Sequence, residues 1–163
     1  MPSGELLVRL TEIIDELSRD QPMLRFEPHV TLLGGLVGSQ SKLASRTSQL
    51  ASCIGPYEVR LGTIDCLDEF YRSLFIRVAP TASVLEANQK ARLIFQCLQE
   101  PEYLPHLSLM YGDFPSSSKE KIIARLGTEI RGRFEARTIH LYSTAGQPRD
   151  WYRVREFTLE KRD

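Results

Sequence analysis

The sequence writes one pattern twice. "PHVTLLGG", which holds His29 and Thr31, and "PHLSLMYGD", which holds His106 and Ser108, each run proline, histidine, apolar residue, hydroxyl residue and leucine, with glycine following. His106 follows His29 by 77 residues, and the helical segment that opens near Ala82 follows the one that opens near Glu5 by the same 77. A repeat at a constant offset signals duplicated architecture. At 163 residues the chain can bury one sizeable core, so the expectation is a single domain, 1–163, of two related halves at about 5–79 and 81–161.

The halves carry the same elements in the same order. In "ELLVRLTEIIDELSRD", Leu6, Leu10, Ile13, Ile14 and Leu17 recur at three- and four-residue steps, which predicts an amphipathic helix over about 5–19. After the His29 strand, "SQSKLASRTSQLASCIG" sets Leu43, Leu50, Ala51 and Ile54 between serine caps and Gly55, a second helix. "YEVRLGTIDC" and "RSLFIRVAP" read as an antiparallel hairpin. In the second half, "TASVLEANQKARLIFQCLQE" is helical, with Thr81 as its N-cap. The His106 strand comes next, then "SSSKEKIIARLG", where Ser117 and Glu120 form a capping box and Gly127 a stop. "RFEARTIHLYS" and "WYRVREFTLEK" are two extended stretches. Each half is thus α-β-α-β-β, and a pseudo-twofold axis would set the two histidine strands side by side or facing one another. The predicted class is α+β: two lobes, antiparallel sheets lining a central groove, helices outside.

Alternation along a strand at ~3.3 Å per residue puts His29 and Thr31 on one face, as it does His106 and Ser108, each pair roughly 7 Å apart. Val30, Leu32, Leu107 and Leu109 point the other way, into a core. Two imidazoles with ordinary pKa near ~6.5 divide the labour at neutral pH, one as general base and one as general acid. Hydroxyls beside them donate to the non-bridging oxygens of a phosphodiester and stabilise charge in the transition state. Two buried histidines satisfied by neighbours would account for the same letters, but corresponding positions in a repeat argue for one shared site. His140, in "TIHLYS", has Tyr142 where the hydroxyl residue would stand, and reads as structural.

Other features narrow the function classes. The 21 basic and 21 acidic side chains cancel, so no global field draws the chain onto a long polyanion, and a small phosphate ester suits it better. With 42% hydrophobic and 26% charged residues the chain is too apolar for disorder and too interrupted for a membrane span. Cys53, Cys66 and Cys97 are odd in number and lack C-x-x-C spacing, against a disulfide framework or a zinc site. They are expected as buried, reduced thiols, and "MPSGELLVRL" has no secretory pattern, so the compartment expected is the cytoplasm. No Gly-x-Ser-x-Gly elbow, phosphate-binding Gly-Lys-Ser/Thr loop or His-Glu-x-x-His helix is present. Trp151, Tyr152, Phe70 and Tyr71 read as core aromatics before base-stacking ones, and Arg72, Arg77, Arg149 and Arg153 are candidates to hold an outer phosphate, none singled out.

The two motifs and their surrounding helices resemble the paired H-x-[ST] motifs of the two-histidine phosphoesterase superfamily, with its RNA 2′,5′-ligase-like fold, and most of all the cyclic phosphodiesterases of plants and fungi. The likeness runs from about residue 5 to the end. It implies that His29 and His106 are the acid-base pair, that Thr31 and Ser108 hold the phosphate and that Tyr111 lines the pocket. It also implies that no metal or other cofactor takes part. Nucleoside 2′,3′-cyclic phosphates would be opened to 2′-phosphates, and ADP-ribose 1″,2″-cyclic phosphate from tRNA splicing to ADP-ribose 1″-phosphate. In this reading His106 activates water and His29 protonates the leaving oxygen. The partner expected is a small cyclic phosphate, with no long nucleic acid and no membrane, and the protein is expected to be a monomer; fungal relatives add Golgi association to the cytoplasmic reading. Alternatives are a 2′,5′-ligase-like or RNA-end exonuclease member, or a silent nucleotide- or RNA-binding module. Two local expectations follow. Relatives open with a short strand of the type Ser-Leu-Trp-Leu before the first helix, whereas "MPSG" stands there here, so the first half should lack that strand and leave a sheet edge unpaired. Strict alternation from His106 turns Tyr111 away from Ser108, so the strand must bend before Gly112 if Tyr111 is to reach substrate.

Overall fold

A computed structural model describes residues 1–99 and 101–160. Glu100, which ends the third predicted helical stretch, and Lys161, which ends the second repeat, lie outside them. Four helices, α1 (Gly4–Leu17), α2 (Gln40–Cys53), α3 (Ala82–Phe95) and α4 (Ser116–Leu126), pack on two antiparallel sheets. The larger sheet holds β1 (Tyr57–Asp65), β2 (Leu74–Val78), β3 (His106–Met110) and β4 (Glu129–Ala136) in the order β3-β2-β1-β4. The smaller pairs β5 (Thr138–Ser143) with β6 (Tyr152–Thr158).

Each sheet carries its own core. The apolar face of the larger sheet, with Leu74, Ile76, Leu107, Leu109 and Ile130 fully buried, packs against Leu10 and Ile14 of α1 and Ile122 and Ile123 of α4. Leu10 and Ile14 belong to the stripe that predicted α1. On the smaller sheet, Leu141 and Phe157 meet Leu50 and Ala51 of α2 and Ala87, Ala91 and Phe95 of α3. The Thr81 hydroxyl accepts from the Val84 N–H at 3.4 Å and caps α3 as expected.

Several local expectations are corrected. α3 ends at Phe95 because Gln96 turns left-handed at φ 60° and the Cys97 N–H closes onto the Arg92 carbonyl at 2.9 Å. α4 starts two residues early, with Pro115 at the cap, so Ser117 sits inside the first turn and no capping box forms. "RFEARTIHLYS" is not one extended stretch: the chain leaves the larger sheet after Ala136 and enters the smaller at Thr138, crossing at Arg137. None of the three cysteines is buried; Cys53 is exposed and Cys66 and Cys97 are intermediate.

The main departure is the His29 strand. The segment forms no strand: its pairing is a single antiparallel bridge, Val30 to Leu107, and bends follow at Leu32 and Leu33. The repeat explains the difference. In the second half, β2 precedes α3 and pairs with β3, giving His106 a neighbouring strand. Among the described residues no strand precedes α1, so the His29 segment has no counterpart to β2 beside it.

Candidate active site

The single bridge is what joins the two motifs. β3 lies at the edge of its sheet, and its outer side meets Val30. In an antiparallel register the residues flanking that bridge, His29 and Thr31 on one segment and His106 and Ser108 on the other, share a face. Val30 and Leu107 take the other face, Leu107 fully buried and Val30 packed on the same core. The two imidazoles are near enough for the His106 charge to act on His29.

The imidazoles are oriented alike. His29 Nδ1 lies 2.6 Å from the Glu27 carbonyl oxygen and His106 Nδ1 2.7 Å from that of Leu104. A carbonyl only accepts, so Nδ1 carries the proton in both rings and Nε2 keeps a lone pair for chemistry. A phenylalanine meets each ring near edge-on, Phe26 at 5.9 Å from His29 and Phe75 at 5.2 Å from His106. Burial pushes both imidazoles below their ordinary 6.5. The bonds to Glu27 and Leu104 oppose that shift, while the His106 charge adds to it at His29 and the Arg72 charge adds to it at His106. Both rings are thus mainly neutral in the ligand-free protein at pH 7. The division into one neutral and one protonated ring, expected from ordinary values, needs an anion between them to bring a proton back.

The two hydroxyls differ. Thr31 is exposed, whereas Ser108 is 5% exposed and donates to the Tyr71 carbonyl at 3.2 Å. The Tyr111 phenol lies next to the Ser108 hydroxyl. Tyr111 reaches that hydroxyl because β3 bulges: Phe75 pairs with Ser108 and the next residue back, Leu74, with Met110, so Leu109 has no counterpart and alternation restarts. Tyr111 is itself 4% exposed, stacked on Phe26 at 3.9 Å, and supports Ser108 rather than offering an open face.

The remaining candidates spread out. Arg72 is paired with Glu69 beside His106, and Arg77, opposite His106 in register, is paired with Asp65. Arg149 and Arg153 pair with Asp150 and Glu156. His140 sits in the smaller sheet, its Nε2 2.9 Å from the Thr138 hydroxyl and 3.3 Å from Glu156. Tyr71 is exposed and edge-on to Tyr111, Trp151 lies beside both, Phe70 packs on Tyr71, and Tyr152 accepts from Gln40 at 3.2 Å. Reading the sequence missed Tyr103, whose hydroxyl donates to the Thr31 carbonyl at 3.0 Å, and Asn88, whose amide donates to the Leu32 carbonyl at 2.7 Å. The only local cue to Tyr103 is its place three residues before His106.

Two antiparallel sheets packed with helices, and two His-x-hydroxyl segments bridged at Val30 and Leu107 on the edge of the larger one, are the arrangement of a two-histidine phosphoesterase. The family model described as the 2′-5′ RNA ligase superfamily matches residues 3–148, and the chain belongs to that superfamily. It is similar to the cyclic phosphodiesterase of Arabidopsis thaliana, 22% identical over 120 residues that cover 74% of this chain and 66% of that protein. Two solved structures share the fold: E. coli LigT complexed with 3′-AMP, at TM-score 0.59 and 13% identity over 94% of this chain and 93% of that one, and TT0787 of Thermus thermophilus, at 0.57 and 13% over 96% and 94%.

Proposed function

We propose that this phosphoesterase hydrolyses cyclic phosphodiesters without a metal, with nucleoside 2′,3′-cyclic phosphates and ADP-ribose 1″,2″-cyclic phosphate as the substrates to test. The observation that carries the reading is the matched setting of the two imidazoles, each held through Nδ1 by the carbonyl two residues before it, across one bridge. His106 Nε2 takes a proton from water as its oxygen attacks phosphorus. The bond from phosphorus to the 3′ oxygen breaks in line, and His29, protonated on Nε2 by the pull of the bound anion, gives its proton to that oxygen. The product is a 2′-phosphate and a free 3′ hydroxyl, and the proton taken by His106 returns to His29 through solvent. Thr31 donates to one non-bridging oxygen. Ser108 donates to another by turning its hydroxyl from the Tyr71 carbonyl, while Tyr111 holds the serine oxygen in place. The similarity to a plant cyclic phosphodiesterase supports the substrate class, and the balanced charge of 21 basic and 21 acidic residues supports small substrates over long strands.

The test is purified protein with each cyclic substrate in the presence of a chelator, the phosphate position in the product being read by NMR. The expected outcome is a 2′-phosphate or a 1″-phosphate, with turnover lowered ~10²-fold or more in His29→Ala and His106→Ala. Tight binding with no turnover would instead make this a silent nucleotide-binding module, and joining or trimming of RNA ends would make it ligase-like.

A further inference from the structure

A segment without a sheet ladder must place its backbone carbonyls somewhere, since buried ones left unpaired are costly. In the His29 segment two successive carbonyls, of Thr31 and Leu32, are taken by side chains distant in sequence: the Tyr103 hydroxyl at 3.0 Å and the Asn88 amide at 2.7 Å. Both donors come from the second half. The second motif is held differently: β2 supplies main-chain pairing along Leu74–Arg77. We propose that Tyr103 and Asn88 are positioning residues for His29 and Thr31, fixing a segment whose main-chain pairing among the described residues is one bridge.

The setting of each donor fits that role. Asn88 lies on the inward face of α3 with Val84, Ala87, Ala91 and Phe95, all buried, and is itself 5% exposed. An amide in an apolar stripe is unfavourable unless it is hydrogen-bonded, so the Leu32 carbonyl accounts for its presence. Tyr103 lies between α3 and β3, in the run that also supplies the Leu104 carbonyl to His106 Nδ1. Burial pushes its phenol above the ordinary 10.0, so it remains a donor throughout the working pH range. One short stretch, 103–106, therefore orients His106 through a carbonyl and fixes the backbone after His29 through a hydroxyl. The spacing of the two rings is set by that stretch and by the Val30–Leu107 bridge.

The inference rests on the cyclic phosphodiesterase reading, and its test is arranged so that the two can fail separately. Tyr103→Phe removes one oxygen and Asn88→Ala one amide; melting curves establish that each variant folds. Each is expected to lower kcat about ten-fold or more, with KM changed much less, because a displacement of ~1 Å at a catalytic group is enough for such losses. In a His29→Ala background, Tyr103→Phe should cost several-fold less than it does in the wild type, because residues acting through one another are non-additive. A general loss of stability would instead multiply through every background. Imidazole titration by NMR gives a readout independent of turnover: in Tyr103→Phe the His29 resonance should titrate at higher pH as water reaches the ring, with His106 unmoved. Full turnover together with an unchanged His29 titration in both variants would overturn the proposal. A wild-type protein inactive on every cyclic phosphate would overturn the assigned reaction, and the NMR comparison would still decide the positioning role.

Discussion

At the scale of single residues, the bonds that hold the candidate site join atoms far apart in the chain. The letters at 29, 31, 106 and 108 identify which imidazoles and hydroxyls share a face, since alternation needs only local geometry. Nothing local reveals that Tyr103 reaches a carbonyl 72 positions away, or Asn88 one 56 positions away. Alternation alone also fails at Tyr111, because the bulge at Leu109 depends on how β2 pairs with β3. Depressed imidazole pKa values have a kinetic consequence. The profile of kcat/KM against pH reports groups of the free protein, so its optimum should lie on the acid side of neutral, with both limbs displaced below 6.5. A maximum above pH 7 would contradict the burial of the two rings.

Whole elements show where periodicity succeeds and where it stops. α1 follows from its apolar stripe, but the break between β4 and β5 does not, since both sides of Arg137 have the same extended character and only the choice of sheet differs. The segment from Leu67 to Arg72 is held by a device no pattern reveals: Lys119 of α4 is 2% exposed, and its ammonium donates to the Leu67 carbonyl at 2.9 Å and to Asp68 at 2.6 Å. That segment in turn supplies the Tyr71 carbonyl to Ser108 and the Phe70 carbonyl to the Gly112 N–H. Gly112 adopts φ 124° there, a conformation open to glycine, and an added Cβ would stand 2.6 Å from the Phe114 ring. Hydrogen bonds to a charged group contribute ~1.5–3 kcal/mol, so Lys119→Ala should lower Tm by about 5 °C or more in a thermal melt. An unchanged Tm would mean that the segment is held by its other contacts.

Across the whole molecule, all three histidines have pKa values lowered chiefly by burial. Folding therefore favours their neutral forms. Between the lowered native values and 6.5 the unfolded chain binds protons that the native protein does not, so stability is full above that window and falls as pH drops through it. The slope reaches at most about 1.4 kcal/mol per pH unit for each group. Tm measured from pH 7.5 downward should begin to fall near pH ~6.5, and His29→Gln should flatten the decline; a flat wild-type curve would rule this out. The halves share a helix, His segment, helix order, but the second runs on into three strands, β4, β5 and β6, where the pattern predicts two. The unequal support of the two motifs became visible only once strands could be assigned to sheets.

That support runs crosswise. His106 has β2 of the first half beside it, and the backbone after His29 is fixed by Tyr103 and Asn88 of the second. Each imidazole is anchored through Nδ1 by a carbonyl of its own half, but the backbone around it is braced by the other. A chain cut between the halves would leave each histidine its anchoring carbonyl while removing the elements that set the backbone around it.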